Sequence, residues 1–390
     1  MHKFDVLEIN HRKSARDSTI ETPQSGSMSV TVRSFAKINL GLRIGAPRAD
    51  GFHELLTVYQ TIRLHDIIHV SAARGTGIEI RCADPRVPRD ESNTCFRIVE
   101  KAMRLLGAKG RILIEIDKRL PVQGGMGGAS SNAVAVLLGL ERALKKTLPI
   151  TEKLRIGAEV GSDLPLFLVG GTVLGVGRGE QVYPLQDLPA MACVVVAPEV
   201  GVSTPKAFAA WDRLCGAGAL ARETASPLDI AGPVERPESA GLRPAGQPRA
   251  AVPTQPPNRS LSKLTLSSPS DRINGLGRAL SAWLSEPYSG APFGRGRAEN
   301  PLLELVRAGI KNDFEEVVFP EYPELGEAKR ALERVGAKYA SLSGSGSTLY
   351  GLFASRQAAV RAAGKLRKQG WTAQATVTLT RRQYWKQVIG

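Results

Sequence analysis

The stretch that most constrains this chain is Pro121-Val-Gln-Gly-Gly-Met-Gly-Gly-Ala-Ser-Ser-Asn132. Gly124, Gly125, Gly127 and Gly128 free its backbone to adopt positive φ and to approach a ligand closely. Upstream, Arg111-Ile-Leu-Ile-Glu-Ile-Asp117 puts Ile112, Ile114 and Ile116 on one face, the period of a strand. Downstream, the apolar run from Ala133 to Leu144 reads as a helix opened by Ser130, Ser131 and Asn132. A glycine loop feeding a helix presents unpaired N–H groups and the positive end of the helix dipole, which suits an anion. Two familiar phosphate loops do not fit. The P-loop requires a lysine before its Ser/Thr, and none stands between Gly128 and Ser130. The dinucleotide fingerprint starts at Gly125 and Gly127 but meets Ser130 where its third glycine belongs. A flexible loop capped by Ser130 or Ser131 is the plainer alternative.

At 390 residues with 42% hydrophobic content the chain is long enough for two cores, so two domains are expected. Its 52 basic and 37 acidic side chains leave a formal charge of +15. That balance suits a nucleic-acid or anionic-membrane partner, an enzyme handling polyphosphates, or only a solvated surface. No zinc-finger spacing or aromatic-rich RNA-binding signature accompanies it. Cys82, Cys95, Cys193 and Cys215 form no Cys-x-x-Cys pair and do not cluster with the histidines, which argues against a metal site or disulfide framework. No apolar run approaches membrane-spanning length and the first residues lack a signal-peptide core, so a cytoplasmic protein is expected.

Residues 1–27 are polar and read as a disordered arm, with Met28 as an alternative translation start. Residues 28–189 read as the first domain and 190–390 as the second. In the first, Ala36, Ile38, Leu40 and Leu42 mark the core face of a strand, while Lys37 and Asn39 share the other face, wet or a cleft. Asp50-Gly51 signals a turn that leaves Phe52 and His53 at the start of the next segment, where the phenyl ring could wall a planar ligand. Gly161-Ser-Asp-Leu-Pro-Leu-Phe reads as a helix start with Pro165 at an early position, which makes Asp163 an N-cap or a functional carboxylate. From Gly216 to about Asp271 the chain fills with Pro, Ala, Gly, Ser and Arg, an insertion too poor in apolar surface to offset its ordering entropy. The end of the chain holds Lys311-Asn-Asp-Phe-Glu-Glu-Val317, then a second small-residue loop, Ser343-Gly-Ser-Gly-Ser-Thr348, between strands in a βαβ-like alternation.

Lys37 in its strand, the loop Pro121–Asn132 and Leu342-Ser-Gly-Ser-Gly-Ser347 occur in the order of the superfamily of galactokinase, homoserine kinase, mevalonate kinase and phosphomevalonate kinase, which this chain resembles. Ala36-Lys-Ile-Asn-Leu-Gly-Leu, Arg48-Ala-Asp-Gly-Phe-His-Glu-Leu and Gly161-Ser-Asp-Leu-Pro-Leu-Phe narrow the resemblance to the 4-diphosphocytidyl-2-C-methyl-D-erythritol kinases, from about residue 30 to about residue 380. It implies an α/β (α+β) fold of two domains with the active site in the interdomain cleft. It implies ATP-dependent phosphorylation of the 2-hydroxyl of a cytidyl diphosphate sugar alcohol in the non-mevalonate isoprenoid pathway, with no nucleic-acid or membrane partner. By motif match, Lys37 and Asp163 are the catalytic pair. Pro121, Val122, Gln123, Gly124, Gly125, Met126, Gly127, Gly128, Ala129, Ser130 and Ser131 hold ATP, and Asn39, Phe52 and His53 lie near the cytidyl substrate. Mg²⁺ arrives with ATP, with Ser131 as a plausible contact and no separate protein metal site. Gln123 and Ala129 stand where the family loop usually has glycine, and Phe52 where it commonly has tyrosine. Another small-molecule kinase of the homoserine or mevalonate type, and a non-catalytic nucleic-acid-binding relative, remain as alternatives.

Overall fold

The computed structural model describes the backbone of residues 29–223 and 311–389, and the side chains of 29–216 and 311–389. The arm at 1–27 lies outside the described residues, as does the expected insertion beyond 223. Its first residues correct the expectation of disorder from Gly216, because the helix Thr204–Glu223 runs through them.

The N-terminal sheet is organised around two long strands, β1 (Ser29–Pro47) and β2 (His53–Ala73), joined by the Asp50-Gly51 turn. They pair antiparallel along their length, with irregularities between Phe35 and Lys37 and between Asn39 and Gly41. The other side of β2 is shared by β4 (Arg111–Asp117) and β5 (Thr172–Val176), with β3 (Gly77–Cys82) beside β4 and β6 (Gln181–Pro184) beside β5. Four helices cover this sheet: α1 (Thr94–Leu105), α2 (Gly128–Leu144), α3 (Ile150–Val160) and α4 (Leu164–Val169). Every residue of α2 from Ser131 to Glu141 is buried, which is why its sequence is apolar all round rather than striped. Gly139 lets it approach the sheet, since a Cβ there would meet Val70 Cγ2 at 2.8 Å.

The second sheet runs β10 (Ala373–Val377), β7 (Ala192–Val196), β9 (Leu349–Phe353), β8 (Tyr339–Leu342), antiparallel throughout. The βαβ-like alternation of the sequence is therefore an antiparallel sheet flanked by helices, because β8 and β9 turn back on each other through Ser343–Thr348. Among the described residues its helices are α5 (Thr204–Glu223), α6 (Glu315–Glu321), α7 (Pro323–Arg334) and α8 (Arg356–Lys368). A separate apolar cluster joins the two sheets, packing Ala36, Ile38 and Leu40 with Met126, Val195 and Tyr350. The interdomain cleft thus has a packed floor.

One element departs from the division at 190. Helix α9 (Arg381–Val388), absent from the sequence expectation, returns to the first domain. Tyr384 and Val388 join that domain's core, and the Tyr384 hydroxyl donates to the Phe167 carbonyl at 2.7 Å. Thr380 and Gln383 form a capping box at its start, a signal readable in the sequence. Cys82, Cys95 and Cys193 are buried thiols; burial pushes the Cys95 thiol up to about 12, which keeps it protonated and inert.

Candidate active site

The glycine loop takes the chain from β4 into α2 through three left-handed residues: Gln123 (φ 59°), Gly125 (φ 74°) and Gly127 (φ 68°). Gly124 and Gly128 do not use positive φ; their value is space, since a Cβ on Gly124 would stand 2.7 Å from Thr348 Oγ1 and one on Gly128 3.3 Å from Lys118 Nζ. Gly125 needs both freedoms, because its Cβ would lie 2.2 Å from the Ser343 carbonyl oxygen. The second small-residue loop is thus more than a hairpin turn. Thr348 N–H donates to the Gly124 carbonyl (3.1 Å) and Ser343 Oγ to the Gly125 carbonyl (3.0 Å), so the two loops interlock. Met126 is buried in the interdomain cluster and anchors the loop by apolar burial worth about 2 kcal/mol. The N-cap of α2 is Gly127, with no side-chain cap, so the first-turn N–H groups are not consumed by a cap side chain.

Ser131 ties α2 to β1: its hydroxyl is buried, donating to the Phe35 carbonyl (2.6 Å) and accepting from Ser34 Oγ (2.8 Å). Ser130, Ala129 and Gly128 line a cavity of about 360 Å³ beside the loop, closed on the far side by Val87, Pro88, Asn93 and Thr94. A larger groove of about 800 Å³ runs along the loop's other side, between Lys118, Gln123 and Met126 of the first domain and Val195 and Ser347 of the second.

Lys118 borders both spaces and was not singled out by the sequence. Its Nζ bonds the Asp66 carboxylate at 2.6 Å, and Asp66 also accepts from the N–H groups of Arg119 and Leu120, both at 2.7 Å. A fully buried aspartate so sets the path into the loop. Arg86, in the same walls, hydrogen-bonds Asp84 and holds that carboxyl down to about 2.

On the opposite wall, Lys37 is 3% exposed and not an edge-strand cation in water. Its Nζ lies 3.3 Å from Asp163 Oδ2 and donates to Asn39 Oδ1 at 2.7 Å. The loop reaches it directly: Lys37 N–H donates to the Met126 carbonyl (3.0 Å), and a Cβ on Gly127 would stand 3.1 Å from Lys37 Cγ. Asp163 occupies the N-cap position of α4 but makes no cap bond, so of the two readings of this carboxylate the cap falls away. Its Oδ1 accepts from the Tyr59 hydroxyl at 3.1 Å. Burial pushes the Tyr59 phenol well above its ordinary range, with the Asp163 charge adding to it, so this donor keeps its proton.

Asn39 belongs to the same cluster: its amide is engaged by Lys37 and by Thr57 Oγ1 (2.8 Å). Phe52 closes the turn after β1 and His53 opens β2. Phe52 is 48% exposed, with the Arg178 guanidinium 4.8 Å from its ring centroid. His53 is buried, its Nε2 is 2.7 Å from Asp212 Oδ1, and its ring stacks on Phe208 at 4.9 Å and 11°. Phe208 and Asp212, four apart on one face of α5, were missed; that spacing is the only sequence signal for them.

Two family models match this chain, GHMP kinases N terminal domain over residues 93–171 and GHMP kinases C terminal over 298–370. The 4-diphosphocytidyl-2-C-methyl-D-erythritol kinase of Solibacter usitatus (strain Ellin6076) is 35% identical over 337 residues, 85% of this chain and 83% of the relative. The enzyme of the same name from Geobacter sulfurreducens is 31% identical, covering 90% of this chain and 99% of the relative. Among solved structures, a 4-(cytidine 5'-diphospho)-2C-methyl-D-erythritol kinase superposes with a TM-score of 0.58 at 24% identity, over 89% of this chain and 98% of that one. An L. major mevalonate kinase in complex with R-mevalonate gives a TM-score of 0.60 at 13% identity, over 93% and 99%. At these identities the structures speak for the fold alone. Among the described residues no helix is long and apolar enough to cross a membrane.

Proposed function

This chain belongs to the GHMP kinases, in the family of 4-diphosphocytidyl-2-C-methyl-D-erythritol kinases, and from that membership we propose how its own residues carry out the transfer. The reaction moves the γ-phosphoryl group of ATP to the 2-hydroxyl of the methylerythritol unit. The alcohol oxygen forms the new P–O bond, the bond to the β-phosphate oxygen breaks, ADP leaves, and the alcohol proton goes to Asp163.

The observation that carries this reading is the Lys37–Asp163 pair at 3.3 Å, facing the uncapped start of α2 across Gly127. Phosphoryl transfer has a loose transition state, so positioning and charge are most of what a protein must supply. N–H groups of Gly128, Ala129 and Ser130 and the dipole of α2 supply fixed positive potential at the phosphates. The cavity of about 360 Å³ between the loop and the start of α1 suits the nucleoside end of ATP. Asp163 takes the alcohol proton; Tyr59 holds one of its oxygens, and Lys37 pairs with the other and steadies the developing alkoxide. Asn39 holds Lys37 in place. The cytosine ring is assigned to the end of the cleft where Phe52, His53 and Phe208 offer aromatic faces and ring nitrogens.

Mg²⁺ fits this site as a companion of ATP. Phosphate oxygens would be its main donors, with Asp163 and Ser130 as the protein groups that could join them. When bound it neutralises charge on the phosphates.

A coupled assay tests the whole reading. The protein should phosphorylate the cytidyl substrate with ATP and leave homoserine and mevalonate untouched. Turnover of either of those, with none of the cytidyl substrate, would overturn the assignment.

A further inference from the structure

The motif Lys311-Asn-Asp-Phe-Glu plays no part in the reading above, yet it lies where the two domains meet. Its backbone runs beside β1: Leu42 N–H donates to the Lys311 carbonyl (2.9 Å) and Asp313 N–H to the Leu42 carbonyl (3.0 Å). Asn312, 2% exposed, turns its side chain toward the second loop. Its Nδ2 donates to the carbonyls of Leu342 (2.9 Å) and Gly344 (2.7 Å), and its Oδ1 accepts from Phe314 N–H (3.1 Å).

The carbonyl so held belongs to a residue against the reacting pair. Gly344 (φ 61°) sits so close that a Cβ on it would stand 3.6 Å from both Lys37 Nζ and Asn39 Oδ1. Its neighbour Ser343 holds the Gly125 carbonyl, and Thr348 holds that of Gly124. We propose that Asn312 is a positioning residue for phosphoryl transfer, clasping the second loop at the height where it sets both the phosphate loop and the Lys37 ammonium. The proposal rests on the reading of Gly124–Gly128 as the phosphate cradle and Lys37–Asp163 as the working pair.

An amide is the group this clasp requires, because it combines two N–H donors with an acceptor in one short plane. Aspartate of the same shape would keep the acceptor, lose both donors and point charge at two carbonyls. The neighbouring Asp313 provides the internal comparison. It is equally buried, but its carboxylate binds Arg43 (2.8 Å) and Ile44 N–H (2.9 Å) on β1 and not the second loop.

The test compares kcat, both KM values and the thermal midpoint of Asn312→Ala, Asp313→Asn, Ser343→Ala and the double variant Asn312→Ala/Ser343→Ala. Misplacing a reacting group by an ångström costs about 10²-fold in rate, so Asn312→Ala should lower kcat by about 10- to 100-fold while KM for the cytidyl substrate stays nearly constant. Asp313→Asn should lower the thermal midpoint but keep kcat. Residues acting through one contact are not additive, so the double variant should be little slower than Asn312→Ala alone. Unchanged kcat in Asn312→Ala, or fully multiplicative losses in the double variant, would overturn the proposal. If Asn312→Ala does not fold, Ser343→Ala decides: a kcat drop of about tenfold supports the clasp and wild-type kcat removes it. Asp163→Asn separates the two levels, since turnover surviving that change sinks the base assignment and leaves the Asn312–Ser343 coupling to be judged on its own rates.

Discussion

At the end of the cleft proposed for the phosphates the lining is main chain: left-handed residues at Gly125 and Gly127, an uncapped helix start, and carbonyls gripped by the second loop. Where the cytosine ring is proposed to bind, it is side chains drawn from distant parts of the chain, with His53 from β2 against Phe208 and Asp212 from α5, and Phe52 beneath Arg178 from the turn after β5. The difference is instructive. A backbone site tolerates little change in shape, because every atom of it is shared with the fold, as the 2.2 Å clearance at Gly125 shows. A side-chain site can lose a member and still stand, at a cost confined to one ligand.

Mutations at each end should keep to that division. The largest effect belongs between the two ends. Asp163→Asn should lower kcat by about 10²–10⁴-fold with the KM for ATP nearly unchanged, since general-base catalysis is worth that much; stopped-flow turnover alongside ATP titration checks it, and near-normal turnover would remove Asp163 as base. Next is Gly125→Ala. Overpacking costs roughly 1–3 kcal/mol, and here it falls on the phosphate cradle. The KM for ATP should rise by about tenfold or more, the same energy read as affinity, and that for the cytidyl substrate much less. A smaller effect is expected for Phe52→Ala. Loss of an aromatic contact of about 0.5–1.5 kcal/mol should raise the KM for the cytidyl substrate roughly three- to tenfold and spare ATP. Equal rises for both ligands would break the division of the cleft. Smallest is Gln123→Gly. A left-handed non-glycine residue costs roughly 1–2 kcal/mol, and glycine's greater unfolded-state freedom takes back roughly 0.4–1 kcal/mol. The thermal midpoint should rise slightly with kcat unaltered; a clear loss of activity would give the Gln123 side chain a role in the cradle.

Much of the phosphate end was legible in the chain. Positive φ and close approach select glycine at fixed local positions, and the strand before and helix after carry their own periods. Lys37 was legible as a misfit, a cation in an apolar strand, but its neighbours on β1 could not say whether its face was wet. Asp163 was legible only as a choice, because a carboxylate before a helix is a cap unless something across the cleft claims it. Lys37 and Tyr59 claim it, from positions far away in sequence. Ser131 shows the converse: its place in the loop suggests a ligand contact, while its hydroxyl bonds Phe35 and Ser34 of β1.

By itself, then, the sequence determined the order of most of the elements, the glycine loop between a strand and a helix, and the candidate cation and carboxylate. These follow from local rules, the steric freedom of each residue and the apolar period of each segment. The tertiary structure alone decided which polar groups meet: Asp66 with Lys118, His53 with Phe208 and Asp212, and Asn312 with the carbonyl of Gly344. Hydrogen bonds and ion pairs act over a few ångströms in space, and no spacing along the chain records which distant residue will arrive there.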